Sequence, residues 1–181
     1  MKDEIFTPCN MKDTTFSPNT EQWTRMIAMH NKKNGESVVG NTCQGCVFGD
    51  YPPTNPIGGA GLVSTLDDYA NFADMLLSRG LFGDKRIISA ETFEQMTSPQ
   101  VSPDIQKGNH RWGLSMRVIT SEAYARLPVG AFGWSGAYGT HFWVDPVNEI
   151  VAIYMKNSQF DGGSGAKTAA NFETDVTSAL I

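Results

Sequence analysis

Cys43-Gln44-Gly45-Cys46 has the CxxC spacing of a redox pair or of half a zinc site. Zinc would need two further ligands, and His30, His110 and His141 are scattered without HxxxH spacing. No βαβ pattern surrounds the pair, so incidental loop cysteines are the better reading. With Cys9 the cysteines number three, an odd count that makes no disulfide framework. Ser135 stands in Gly133-Trp134-Ser135-Gly136-Ala137, which departs from the G-x-S-x-G nucleophile elbow at its last position. His141 follows six residues later; along one continuous strand that separation is about 20 Å, too far for a hydrogen bond. Tyr69-Ala70-Asn71 matches a Y-x-N spacing but falls within an amphipathic helical pattern, where Tyr69 reads as core. Gly59-Ala60-Gly61-Leu62-Val63-Ser64 only approximates a dinucleotide-binding G-x-G-x-x-G, and no strand signal precedes it. These residues imply neither a metal nor a cofactor.

The elements that would position these residues are legible in part. Ser64 or Thr65 can cap a helix, with Asp67 and Asp68 each three residues on. Leu66, Tyr69, Ala70, Ala73, Leu76 and Leu77 then recur at helical spacing, which predicts a helix over Thr65–Arg79 stopped by Gly80. Ser89 begins a second helix to Thr97, and Pro99 bars its continuation. Between residues 17 and 58 the chain reads as mostly irregular, with a strand near Arg25–Met29. From Trp112 the period changes to two, and three antiparallel strands are expected at about Arg111–Ile119, Phe132–Val144 and Glu149–Met155. Asp145-Pro146-Val147-Asn148 suits the turn between the last two. Ala169, Phe172, Val176 and Leu180 share one face of a C-terminal helix.

This order predicts the α/β class of the α+β type, an antiparallel sheet covered by helices. Residues 1–105 would form a helical and loop portion, and residues 106–181 the sheet and C-terminal helix. The 181 residues suit one domain, and 40% hydrophobic with 18% charged residues is an ordinary globular composition. A net charge of −5 offers no footprint for nucleic acid or an anionic membrane, so neither is expected as a partner. No run of eighteen apolar residues is present, so no membrane span is expected. The first residues lack the apolar run of a secretory signal, and the compartment stays open.

Three segments, in order, resemble one family. Phe6 to Phe16, FTPCNMKDTTF, is similar to that family's PLGMKDTTF segment. Gly58 to Tyr69, GGAGLVSTLDDY, is similar to its glycine-rich entry into a helix. Gly133 to Thr140, GWSGAYGT, with Val144-Asp145-Pro146, resembles its third active-site strand and following hairpin. The family is that of class C β-lactamases and penicillin-binding-protein-like serine hydrolases, esterase-like branch. The resemblance spans residues 6–155.

The resemblance implies acyl transfer: a serine in S-x-x-K attacks an ester, amide or lactam carbonyl, and water cleaves the acyl-enzyme. Trp134-Ser135-Gly136 would occupy the third motif, with the Ala137 N–H as oxyanion-hole donor beside Gly136. Trp134, Ser135 and Tyr138 would contact substrate, Tyr138 as a wall of the acyl pocket. Many members carry lysine where Trp134 stands, so the resemblance favours neutral esters over penicillin-type substrates. The alternative leaves Trp134 a buried aromatic beside a glycine-rich turn. In the family both catalytic motifs precede the MKDTTF segment, so the nucleophile motif is expected to be absent here. Two arrangements are compatible with that: the C-terminal portion of a carboxylesterase-type serine hydrolase, or a non-catalytic assembly module completing its sheet with another chain. A homo-oligomer or a complementing N-terminal chain would serve as that partner, and a small ester or amide as the parent's substrate.

Overall fold

The computed structural model describes residues 1–39, 58–59, 61–106, 108–122, 126–163 and 165–180. Cys43, Cys46 and most of the glycine- and proline-rich tract lie outside the described residues. The chain opens with a π-helical turn, Lys2–Phe6, followed by a short helix α1, Thr20–Thr24. A hairpin follows, β1 His30–Lys33 with β2 Glu36–Val39, so the strand expected at Arg25–Met29 begins later than the sequence suggests. Helix α2 spans Leu66–Leu77, a two-residue hairpin joins β3 Leu81–Phe82 to β4 Lys85–Arg86, and α3 spans Ala90–Thr97.

Both helices start where side chains can take up orphan amides. Thr65 Oγ1 accepts from the Asp68 amide at 3.2 Å, and Ser89 Oγ from that of Thr92 at 3.1 Å. Asp68 does not complete a capping box. Its buried carboxylate accepts from the amides of Lys12 (3.1 Å) and Asp13 (2.7 Å) and from Thr14 Oγ1 (2.8 Å). Thr15 and Val63 exchange both backbone hydrogen bonds at 3.0 Å. Two of the three family-like segments are thus stitched to each other, and their residues serve the architecture. Leu66, expected on the buried face, is instead 51% exposed.

The sheet has five antiparallel strands among the described residues, in the order β5 His110–Trp112, β6 Arg117–Ile119, β7 Phe132–Ser135, β8 His141–Asp145 and β9 Ile150–Tyr154. The expected sheet is present, but two of its three expected strands are each folded into a hairpin. Arg111–Ile119 turns back at Gly113–Met116, where the Gly113 amide donates to the Met116 carbonyl at 2.9 Å and Ser115 adopts φ +64°. A Cβ on Gly113 would lie 2.0 Å from the Met96 carbonyl oxygen at the end of α3, so glycine lets the chain turn against that helix. Phe132–Val144 likewise turns at Gly136–Thr140, with Ser135 opposite His141. The β8–β9 hairpin forms as expected, with Asp145 opposite Ile150.

The sheet separates two apolar clusters. On one face Met75, Leu76 and Phe93 of α2 and α3 pack with Met116, Val118, Phe132, Phe142 and Val144, joined by Phe6, Cys9 and Met11 from the N-terminal segment. On the other, Ile119, Ala131, Trp143 and Ala152 meet Phe172 and Val176 of the C-terminal helix α4, Lys167–Ser178. Leu180, placed on the buried face of that helix by its spacing, is 49% exposed. Burying Trp143, Met75, Leu76 and Val144 almost fully stabilises the layers by roughly 2 kcal/mol per side chain.

Candidate active site

The third-motif residues occupy the end of β7 and the turn after it. Alternation along β7 sends Trp134 toward α2 and α3, where it packs beside the first cluster with its ring 4.4 Å from that of Trp112, edge to face. Ser135 takes the opposite face. Gly136 begins a tight turn in which its amide donates to the Thr140 carbonyl at 2.7 Å and its carbonyl accepts from the Gly139 amide at 2.9 Å. Gly139 adopts φ +91°, a conformation that favours glycine. Ala137 is exposed, and no acceptor among the described residues takes its amide hydrogen. Tyr138 is half-buried, and its carbonyl accepts from the Ser158 amide at 2.9 Å.

A loop after β9 braces this turn from outside. The Gly163 amide donates to the Gly136 carbonyl at 3.0 Å. A Cβ on Gly162 would come within 2.3 Å of the Ala137 carbonyl oxygen. Lys156 Nζ holds the loop by donating to the carbonyls of Phe160 (2.7 Å) and Asp161 (3.0 Å).

The turn also overturns the expectation that Ser135 and His141 are far apart. Because the chain doubles back, Ser135 Oγ lies 2.8 Å from His141 Nδ1. His141 Nε2 lies 3.2 Å from Glu173 Oε1, although not aligned as a good hydrogen bond. Glu173 in turn accepts from Arg117 at 2.5 Å, and Arg126 stands 3.8 Å from its second oxygen. Burial by itself would push the Glu173 carboxyl up, but the His141 imidazole beside it and the Arg117 charge outweigh it and hold the pKa below the usual range. Glu173 escaped the sequence reading because an acidic residue on a helix ordinarily faces water. The order serine, imidazole, carboxylate resembles a nucleophile with its base and orienting acid. Ser135, however, faces α4, on the opposite side of the sheet from Trp134. The group is built to hold β6, β7, β8 and α4 together.

Other sequence candidates prove structural. Tyr69 packs edge-on to Phe142 with ring centroids 5.1 Å apart, and burial pushes its hydroxyl up to about 12, which suits a core tyrosine. Cys9 is fully buried and its thiol is raised by burial. Among the described residues no group of His, Cys, Asp or Glu could hold a metal ion. A groove of about 850 Å³ lies beside Met1, Phe6, Met11 and Phe16, and the third-motif residues take no part in it. The spacing S-x-x-K, expected to be absent, does occur once, at Ser164-Gly165-Ala166-Lys167. It follows the third motif instead of preceding the MKDTTF segment, and Ser164 lies outside the described residues. Lys167 is exposed at the start of α4.

A family model described as Beta-lactamase matches residues 1–173. The chain belongs to the β-lactamase family. It is similar to Protein Rv1367c of Mycobacterium tuberculosis, 28% identical over 170 residues, covering 84% of this chain and 41% of that protein. The solved structure of EstCE1, a hydrolase with promiscuous acyltransferase activity, superposes with a TM-score of 0.75 at 19% identity, covering 96% of this chain and 48% of that one. A simvastatin synthase variant from Aspergillus terreus superposes at 0.76 with 16% identity, covering 99% and 48%. This chain therefore spans about half the length of these proteins, and its α+β architecture is that of the two solved structures in part. No helix among the described residues is long and apolar enough to cross a membrane.

Proposed function

We propose that these residues form the third-motif side of a carboxylic-ester hydrolase, with the Ala137 N–H as an oxyanion donor and the nucleophile supplied by residues other than these. The observation that carries the reading is the open amide of Ala137 directly after Trp134-Ser135-Gly136, on a turn fixed by glycine and by backbone hydrogen bonds. When a serine oxygen bonds to an ester carbonyl carbon, the carbonyl oxygen gains the negative charge. A preorganised N–H at that position stabilises it without reorganising. Trp134 offers an aromatic surface and no cation at the motif's first position, which suits neutral esters better than carboxylate-bearing lactams.

In a protein joining these residues to a Ser–Lys nucleophile, Ala137→Pro removes the amide hydrogen and should lower kcat for p-nitrophenyl esters by about 100-fold or more. An unchanged kcat overturns the role of Ala137. Fluorophosphonate labelling with peptide mapping of the 181-residue chain should find no stoichiometric adduct. An adduct on Ser135 or Ser164 would place the nucleophile within it.

A second reading rests on the outer edge of β9. Among the described strands Ile150–Tyr154 pairs only with β8, apart from a bridge between His30 and Ser158 just beyond its end. Such an edge can accept a strand from another chain. A chain that stays monomeric at high concentration, measured by light scattering, would count against that assembly role.

A further inference from the structure

We propose that Glu173, His141 and Ser135 are positioning residues that set the direction of the Ala137 amide by tethering the strand end before the third-motif turn. The proposal rests on the reading of Ala137 as the oxyanion donor. A carboxylate can only accept hydrogen bonds, and Glu173 is kept ionised by Arg117 at 2.5 Å. The nitrogen facing it at 3.2 Å, His141 Nε2, must then carry a proton, since two acceptors at that distance would repel. In the neutral ring this leaves Nδ1 as the acceptor, and the Ser135 hydroxyl donates to it at 2.8 Å. Ser135 thus donates to His141, while the Nε2–H side of the ring stands against the Glu173 carboxylate as a close electrostatic contact and not as an aligned hydrogen bond. The histidine side chain is 1% exposed and that of glutamate 5%, so water does not compete for these contacts.

The tether acts close to the amide. Ser135 is opposite His141 in the ladder, Gly136 begins the turn, and Ala137 follows. A proton on Nδ1 would reverse the Ser135–His141 link: the ring then donates, and the serine must turn its own hydrogen elsewhere. The groups facing the ring are Ser135 from β7, Tyr154 opposite it on β9, and Glu173 from α4. Arg117 from β6 and Arg126 reach it through Glu173.

NMR on the uniformly 15N-labelled chain tests this. The imidazole nitrogens of His141 should show Nε2 protonated and Nδ1 bare at neutral pH. The Ala137 amide peak should shift over the same pH step as the ring. In Ser135→Ala that shift should be lost while the spectrum stays dispersed, and Ser135→Thr, which keeps the hydroxyl, should restore it. An Nδ1–H ring, or an Ala137 peak indifferent to the ring, overturns the relay. If Ser135→Ala does not fold, the wild-type tautomer and pH series still decide. Neither readout depends on ester turnover, so a failed relay is distinguishable from a failed hydrolase reading.

Discussion

Strand β8 ends in two turns built on opposite plans. At its far end the carboxylate of Asp145, with 0% exposure, accepts from the amides of Val147 (2.9 Å) and Asn148 (3.1 Å) and from Asn148 Nδ2 (2.6 Å). A side chain closes that turn and takes up its donors. At the near end Gly136–Thr140 has no such carboxylate; glycines and backbone bonds shape it, and the Ala137 amide stays open. The closed turn is a structural corner, whereas the open one keeps a donor available. In the open turn the supporting side chains stand behind the strand, at His141 and Glu173, and leave the exposed side clear.

Breaking the closed turn should have the largest effect. Asp145→Ala leaves the Val147 and Asn148 amides without the buried carboxylate that closes the turn and should cost about 2 kcal/mol in urea unfolding. If the two plans are distinct, the variant's folded fraction keeps the Ala137 amide peak in place. Gly136→Ala should cost less, about 1 kcal/mol, because its Cβ would lie 2.4 Å from Thr140 Oγ1, a side-chain atom that can move. Adding Thr140→Ala to it should recover most of that loss, which would separate crowding from a backbone requirement. The support behind the open turn should respond to acid. The pKa of Glu173 is depressed in the folded chain, so its contribution is present above the usual glutamate range and lost as pH falls through the folded value. The stability gap between wild type and Glu173→Gln should therefore shrink toward low pH in urea titrations.

The same contrast explains how much could be read from the sequence. Asp145-Pro146-Val147-Asn148 announces its turn through side chains that make local hydrogen bonds, and that hairpin forms where expected. Gly136-Ala137-Tyr138-Gly139 carries its signal only in glycine, and the apolar residues on both sides continue the alternating pattern across it. One long strand was the natural reading, and with it His141 and Ser135 were placed far apart. Gly113 hid the β5–β6 turn in the same way, since what demands glycine there is the approach of α3 from elsewhere in the chain. The helices over 66–77 and 90–97 were legible because caps and periodicity are local. Asp68 and Glu173 were not, because what makes a buried carboxylate tolerable is a set of partners distant in sequence.

The smallest effect concerns the loop that lies against the open turn. Ala166 offers no side-chain cap to α4, and Asp161 supplies one from five residues earlier. Its carboxylate accepts from the amides of Lys167 and Thr168, both at 2.8 Å, and from the Thr168 hydroxyl. The Thr168 hydroxyl and then the two amides hold the Asp161 pKa down at about 2. That folded value lies below an ordinary aspartate's, about 4, so the cap is fully engaged above pH 4 and is lost as pH falls through about 2. Protection of the Lys167 and Thr168 amides, measured against their intrinsic exchange rates, should fall across that interval, and Asp161→Asn should show the lowered protection already at neutral pH. Because the Gly163 amide donates to the Gly136 carbonyl, the Ala137 amide reports whether the loosening travels. Fast exchange confined to Lys167 and Thr168 would leave the open turn resting on its glycines and on Ser135, whereas joint loosening would make the Asp161 loop its second support.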